Sequence, residues 1–228
     1  FVLHTRPYQE TSILVDFFTR SYGRLNAIAK GAKRPKSPLR SVLTPASKLS
    51  VSLSGKSELK TLSSVEIIDH FQLNNGVSFN SIIYVNELII KATEKEDPHA
   101  VIFDDYEILL KKLSYQSDQV DTEQNLRNFE LNLLQEMGYG IDLSRDGETN
   151  KKIEKDYIYR FYPDKGFTID KDKVASQKSF SGLDIINFRE GNFKKKETRD
   201  ASKTIMRKAL DFHLGSKTLN IRKYLTKK

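Results

Sequence analysis

The 228-residue chain contains no cysteine. Disulfides are therefore excluded, and so are zinc sites built on thiolates. No window holds the 18 or so consecutive apolar residues that a membrane-spanning helix needs, and the opening Phe-Val-Leu-His lacks the charged-then-apolar order of a secretory leader. A soluble, cytoplasmic protein is expected, with a few residues preceding Phe1 because no initiating Met is present. Catalytic and nucleotide motifs are missing as well. There is no Gly-x-Gly-x-x-Gly, His-Glu-x-x-His or Gly-x-Ser-x-Gly. Gly55-Lys56-Ser57 ends like a Walker A loop, but the glycine that motif requires five residues earlier is Ser50. His4, His70, His99 and His213 stand singly, without ligand spacing. Glu96-Asp97-Pro98-His99 gathers carboxylates and an imidazole where a helix starts, a place where acidic residues already favour the dipole. Neither an enzyme nor a cofactor is expected.

Charge is present, and it is uneven. The net charge of +8 divides into about +6 over residues 1–75, −7 over 76–140 and +9 over 141–228. Two basic regions flanking an acidic middle describe a polyanion binder. The densest run is Lys30-Gly-Ala-Lys-Arg-Pro-Lys-Ser-Pro-Leu-Arg40, with five cations and no anion. Pro35 and Pro38 fix φ and offer no N–H, so this stretch is expected to be a loop rather than a helix. A cation run suits a solvated face as well as a phosphate backbone.

Thr11–Thr19, Arg24–Lys30, Leu49–Leu53 and Leu59–Ile68 read as strands from their β-branched content and period-two alternation. With turn signals between them, about five short strands are expected in the first 70 residues, enough for a small closed barrel. From about Val77 the period becomes helical. One helix carries Ile82, Val85 and Ile89, and a second restarts at Asp97-Pro98 with Phe103, Tyr106, Leu109, Leu110 and Leu113 on one face. A third begins near Asp121, carries Leu126, Phe129, Leu133, Leu134 and Met137, and ends at Gly138-Tyr139-Gly140 as a glycine cap would. Tyr157–Tyr162 and Gly166–Ile169 flank Pro163-Asp164-Lys165 as a hairpin. On the last helix Arg199, Lys203 and Arg207 recur at i, i+4 and i+8, about 6 Å apart along the axis. No internal repeat or low-complexity tract occurs.

Several segments, in order and spacing, resemble the RecO family of bacterial recombination and repair mediators from end to end. They are Phe1-Val2-Leu3-His4-Thr5-Arg6-Pro7-Tyr8 with Glu10-Thr11-Ser12, Gly23-Arg24 through Ala29-Lys30-Gly31-Ala32, and Glu58-Leu59-Lys60-Thr61-Leu62. Tyr84-Val85-Asn86-Glu87-Leu88, Glu96-Asp97-Pro98-His99, Phe129-Glu130-Leu131 with Gly138-Tyr139-Gly140, and Leu214-Gly215-Ser216-Lys217-Thr218-Leu219 complete the match. The resemblance implies an α+β protein: an N-terminal OB-fold β-barrel over 1–75, then an α-helical domain over 76–228 with a small cysteine-free hairpin insertion. It also implies DNA repair and recombination without catalysis. The expected activities are binding of single- and double-stranded DNA, ATP-independent annealing, and loading of RecA onto strands covered by single-stranded-DNA-binding protein. RecR is an expected partner, RecF a partner in some bacteria, and the nucleoid the expected place of action. Many relatives carry a four-cysteine zinc site in the region corresponding to 141–179, which here has no cysteine, so no zinc is expected.

The DNA-contact residues expected on this basis are Arg24, Lys30, Lys33, Arg34, Lys36, Arg40, Lys56 and Lys60 on the barrel, with Arg199, Lys203 and Arg207 on the last helix. Tyr8 and Tyr22 are candidate base-stacking aromatics, with rim packing as the alternative. The resemblance further implies recognition of the acidic, Phe-terminated tail of single-stranded-DNA-binding protein. Arg127 with Phe129 and Leu133, and Lys178, are the candidates for that site. An RNA-binding OB module and a scaffold that binds no DNA are the competing readings.

Overall fold

The computed structural model describes residues 1–73, 75–115, 118–170, 179–215, 219 and 221. By packing, the chain forms two units, 1–117 with 219–228, and 118–218.

The first unit opens with β1 (Val2–Tyr8), β2 (Ser12–Thr19) and β3 (Gly23–Ala29), an antiparallel meander. A short helix, α1 (Leu39–Val42), precedes β4 (Ser47–Ser54) and β5 (Leu59–His70), which pair antiparallel. β5 also pairs in parallel with β3, giving the order β1-β2-β3-β5-β4, and β1 approaches β4. This is the OB-fold barrel, partly open between its two edge strands. β1 was not anticipated as a strand because Pro7 interrupts it. As an edge strand it tolerates a residue that cannot donate to a ladder.

Period-two alternation fills the barrel. Val15, Phe17, Ala27 and Ala29 point inward with Leu49, Val51, Leu53 and Leu62, while Ser50, Ser52 and Ser54 face out. The opposite face of β2 is not all solvated: Phe18 is fully buried, its ring 5.6 Å from that of Phe103.

Two helices, α2 (Gly76–Ala92) and α3 (Ala100–Tyr115), belong to this unit. The change from strands to helices at residue 75 and the change of unit at residue 117 thus fall at different places. α2 starts on an Asx cap, with Asn75 Oδ1 accepting from the Ser78 amide at 2.7 Å. Asn86 donates to the Leu3 carbonyl at 2.9 Å and accepts from the Tyr106 hydroxyl at 2.6 Å, joining β1, α2 and α3 through one buried amide. Burial pushes the Tyr106 phenol pKa up, although the Asn86 bond opposes this. The Asp97-Pro98 step lies before α3 rather than in its first turn. It packs where a Cβ on Gly23 would stand 2.2 Å from the Asp97 carbonyl oxygen, and Gly23 has φ +64°. Glycine is required there.

The second unit begins with α4 (Gln119–Glu136), capped by Asp118 and ended by Gly138 at φ +81°, as the glycine pattern predicts. The expected hairpin is β6 (Ile158–Tyr162) with β7 (Gly166–Ile169), and β8 (Ser179–Ser181) adds a third strand beside β6. α5 (Gly182–Arg189) and α6 (Lys196–His213) pack together, and α6 also packs on α4.

Tyr159, Phe161 and Phe167 are buried in this hairpin, whereas Tyr157 is exposed and contributes nothing to its core. A carboxylate supplies the rest. Asp146 Oδ1 accepts from the amides of Glu148 and Thr149 and the Thr149 hydroxyl, and Oδ2 accepts from the Ile169 amide at 3.0 Å. Burial pushes the Asp146 pKa upward, but these hydrogen bonds outweigh it and hold the carboxyl below its ordinary value. A lowered native pKa contributes stability that is present above the unfolded value of about 3.9 and is lost as pH falls through the native one. Asp146→Asn turns a donor toward the Ile169 amide and should cost about 2 kcal/mol at neutral pH. In urea denaturation, the gap between parent and variant should persist down to about pH 5 and narrow below about pH 4.

Candidate nucleic-acid interface

The Lys30–Arg40 segment leaves the end of β3 and is pinned at both ends by apolar residues. Ala32 is buried in the barrel core, and Leu39 packs against that core with Leu43. Between these anchors the backbone folds as successive turns, the amides of Arg34 and Ser37 donating to the carbonyls of Gly31 and Arg34. The loop expectation holds up to Pro38, which caps the four-residue α1, so Arg40 is helical. The segment is also fastened to the β1–β2 turn: the Lys33 amide donates to the Thr11 carbonyl at 2.9 Å and its Nζ to the Gln9 carbonyl at 3.3 Å. Gln9 holds φ +52°, a conformation uncommon for a residue with a Cβ.

Lys30, Lys33, Arg34, Lys36 and Arg40 are all exposed. Among the described residues, no carboxylate forms an ion pair with any of them. Because β1 ends at Tyr8, β2 begins at Ser12 and β3 ends at Ala29, the β1–β2 turn and the basic segment share one end of the barrel. Tyr8 lies at that end, half-buried. Arg6, exposed on β1, is a cation the sequence reading passed over.

The other barrel cations are elsewhere. Asn26 on β3 pairs with Leu59 on β5 in parallel, so the β4–β5 turn carrying Lys56 lies level with the start of β3. A seven-residue strand spans about 20 Å, which separates Lys56 from the basic segment by the length of the barrel wall. Tyr22 is at this second end, in the β2–β3 turn. Charge there is largely matched: Lys60 lies 3.8 Å from Glu96, Lys95 pairs with Glu58, and Arg20 makes a two-pronged contact with Asp104 at 3.0 Å.

Arg24 has an internal role. It is 8% exposed, its Nε donates to the Thr93 hydroxyl at 2.9 Å and its Nη2 to the Thr93 carbonyl at 2.6 Å, tying β3 to the end of α2. Burial lowers its pKa from the ordinary guanidinium value, against the pull of Asp16 and Glu94.

In the second unit the predicted stripe is split. Lys203 and Arg207 are exposed, with Asp211 3.8 Å from Arg207. Arg199 turns back instead, donating to the carbonyls of Phe193 and Lys194 at 2.9 Å and facing Glu123 at 3.2 Å. The exposed run Lys194-Lys195-Lys196 beside it was legible as a plain charge run and was missed.

Of the tail-binding candidates, Phe129 and Leu133 are buried core residues and Lys178 falls outside the described residues. Arg127 donates to Glu130 at 2.6 Å while its Nε, buried, has no partner among the described residues. Next to it on α4, Leu131 opens a cavity of about 300 Å³ lined also by Gln135, Ile141, Leu143, Ser144 and Arg189.

These features define the class as an α+β protein: an OB-fold barrel with exposed cations at one end, followed by helices and a small sheet. Residues 1–71 match the family described as Recombination protein O N terminal, and residues 76–222 the one described as Recombination protein O C terminal. The chain belongs to the RecO family. It is 37% identical to the DNA repair protein RecO of Actinobacillus pleuropneumoniae serotype 7 over 97% of this chain and 91% of that protein. It is 38% identical to that of Burkholderia pseudomallei over 99% and 81%, and 39% identical to that of Polynucleobacter asymbioticus over 99% and 93%. Among the described residues no helix is long and apolar enough to cross a membrane, and no group of three or more His, Asp or Glu is placed to hold a metal ion.

The two kinds of arginine and lysine separate by stability. Arg24→Ala should lower unfolding free energy by about 2 kcal/mol, since it takes both guanidinium donors from the buried Thr93 carbonyl, while the Thr93 hydroxyl keeps its bond to the Ile89 carbonyl. Alanine at Lys33, Arg34 and Lys36 together should change it by no more than about 0.5 kcal/mol per site. Urea denaturation of the two variants checks the distinction.

Proposed function

We propose that this protein acts in DNA repair by binding DNA through the Lys30–Arg40 end of its barrel. The observation that carries this reading is the set of five exposed cations without carboxylate partners among the described residues, held on a segment anchored at Ala32 and Leu39. Such a cluster contacts phosphates without reading bases, so it serves single and double strands alike. Tyr8 is the one predicted stacking aromatic at the same end, and Arg6 adds a further cation. Lys56, at the far end, and Lys60, which faces Glu96, are secondary.

Annealing follows from the same chemistry. Neutralising phosphates lowers repulsion between strands and leaves base edges free to pair, with no need for ATP. RecR, RecF where it occurs, and RecA loading on strands covered by single-stranded-DNA-binding protein complete the proposed setting in the nucleoid. The acidic tail of that protein is assigned to the cavity beside Leu131: its terminal Phe enters between Leu131, Ile141 and Leu143, and Arg189 in the lining receives its carboxylates, with Arg127 one turn away on α4 and paired to Glu130.

Five phosphate contacts give a slope near −3.5 for log K against log salt on single-stranded DNA, at about −0.7 each. Fluorescence anisotropy should show this slope, and Lys33→Glu, Arg34→Glu and Lys36→Glu together should abolish tight binding of the first strand while Lys56→Glu barely changes it. A flat salt response, or preference for structured RNA in direct competition, would refute DNA as the ligand. For the tail, calorimetry with a Phe-terminated acidic peptide should show binding lost in Leu131→Asp and weakened in Arg127→Ala. Unchanged affinity in both moves the peptide elsewhere.

A further inference from the structure

From 196 to 207, every exposed residue of α6 is charged. At about 100° per residue, Lys196, Lys203 and Arg207 fall within about 40° of one another, while Thr198, Ser202, Ile205, Met206 and Ala209 turn to the core of the second unit, and the buried Leu210, about 20° from Lys203, ends the charged face after Arg207. The rise from Lys196 to Arg207 is about 16 Å. Lys194 and Lys195, both exposed, precede the helix directly, where Phe193 is buried and Arg199 donates to the Phe193 and Lys194 carbonyls. Arg199 therefore fixes the backbone that carries these lysines. Asp200 and Asp211 share the face, yet among the described residues Lys194, Lys195, Lys196 and Lys203 form no ion pair.

We infer that this face of α6 is a second nucleic-acid backbone site, which takes the complementary strand during annealing. The inference rests on the reading of the barrel as a DNA site. The chemistry of the face selects its occupant. Every exposed residue on α6 between Lys196 and Arg207 is charged, so no apolar side chain is available to enter a lipid surface or to seat a peptide anchor. A line of cations without apolar company suits a phosphate chain met without regard to sequence. Two sites on one chain also raise the effective concentration of one strand near the other, which a single site cannot do.

The test uses the whole protein with Lys194, Lys195, Lys196 and Lys203 changed to Gln, and a second variant with the same four changed to Glu. Binding of a substoichiometric short oligothymidylate to excess protein should change little, because the barrel site takes the first strand. At saturation the bound oligonucleotides should fall from two per chain to one, and annealing of complementary strands should slow by about tenfold or more. Parent-like stoichiometry and annealing in both variants overturn the second site. Loss of all binding to the first strand in either variant also overturns it, since α6 would then be the primary site. Failure of the barrel reading shows separately, as undiminished first-strand affinity in the Lys33, Arg34 and Lys36 charge reversal.

Discussion

One buried amide fixes how the barrel and its two helices are joined. Asn86 is 2% exposed and spends its side chain on the Leu3 carbonyl and the Tyr106 hydroxyl. Either group left alone in that interior would cost about 1 to 3 kcal/mol, so the three elements that supply them are held in one arrangement. Arg24 does the same a short way along the barrel, closing on Thr93 at the end of α2. Around the two contacts the rings of Phe1, Phe18, Phe103 and Tyr106 meet at 4.8 to 6.4 Å. The outer surface of β2 and the beginning of β3, the strands on which OB-folds commonly take ligands, is therefore partly occupied by helix. What remains free is the opposite end of the same strands, where the basic segment begins.

The two ends of the barrel differ in electrostatics more than in number of cations. At the helix-bearing end Lys60, Lys95 and Arg20 each face a carboxylate. Exposed pairs of this kind add little stability, but they remove charge from the field that a polyanion would feel. At the other end the segment from Lys30 to Arg40 carries no acidic residue, and its prolines leave few amides to be satisfied internally. A phosphate backbone approaching the barrel thus meets a gradient along the strands, set by where the acidic residues of the α2–α3 connection and α3 are held.

Most of the architecture was legible in the sequence because it rests on periodicity. The serine alternation of β4, the apolar face of α3 and the glycine stop after Met137 are local patterns, and all appear in place. β1 was hidden by Pro7, whose acceptability depends on the strand being an edge, a tertiary fact. The barrel fold itself was read as a strand count. Its order, with β5 parallel to β3, was not legible, since nothing local distinguishes that pairing. For the candidate interface, residue type located the cations but not their state. Arg24 and Lys30 look alike in sequence, yet a strand residue pointing at the underside of a helix becomes a fastener and the next cation along, past the strand end, stays in solvent. Phe129 and Leu133 lie on the inward face of α4, and the cavity opens beside Leu131 instead. Arg199 kept helical spacing with Lys203 and Arg207, but sits about 60° off the line through Lys196.

The hairpin unit shows how a cysteine-free chain can hold a segment that many relatives, by the resemblance, bind around zinc. A structural metal works as a junction: it draws ligands from separate parts of the chain to one point and is worth about 10 to 16 kcal/mol in small zinc domains. Asp146 is a weaker junction of the same kind, drawing the 146–149 turn and the end of β7 to one carboxylate. Hydrogen bonds to a charged group contribute roughly 1.5 to 3 kcal/mol each, so the shortfall must be made up by area. Tyr159 and Phe167 are among the largest fully buried side chains, and Phe161 packs on Phe167 at 5.0 Å. The Asp146 junction also makes the unit respond to acid, because protonating this carboxyl removes acceptors from the Glu148, Thr149 and Ile169 amides.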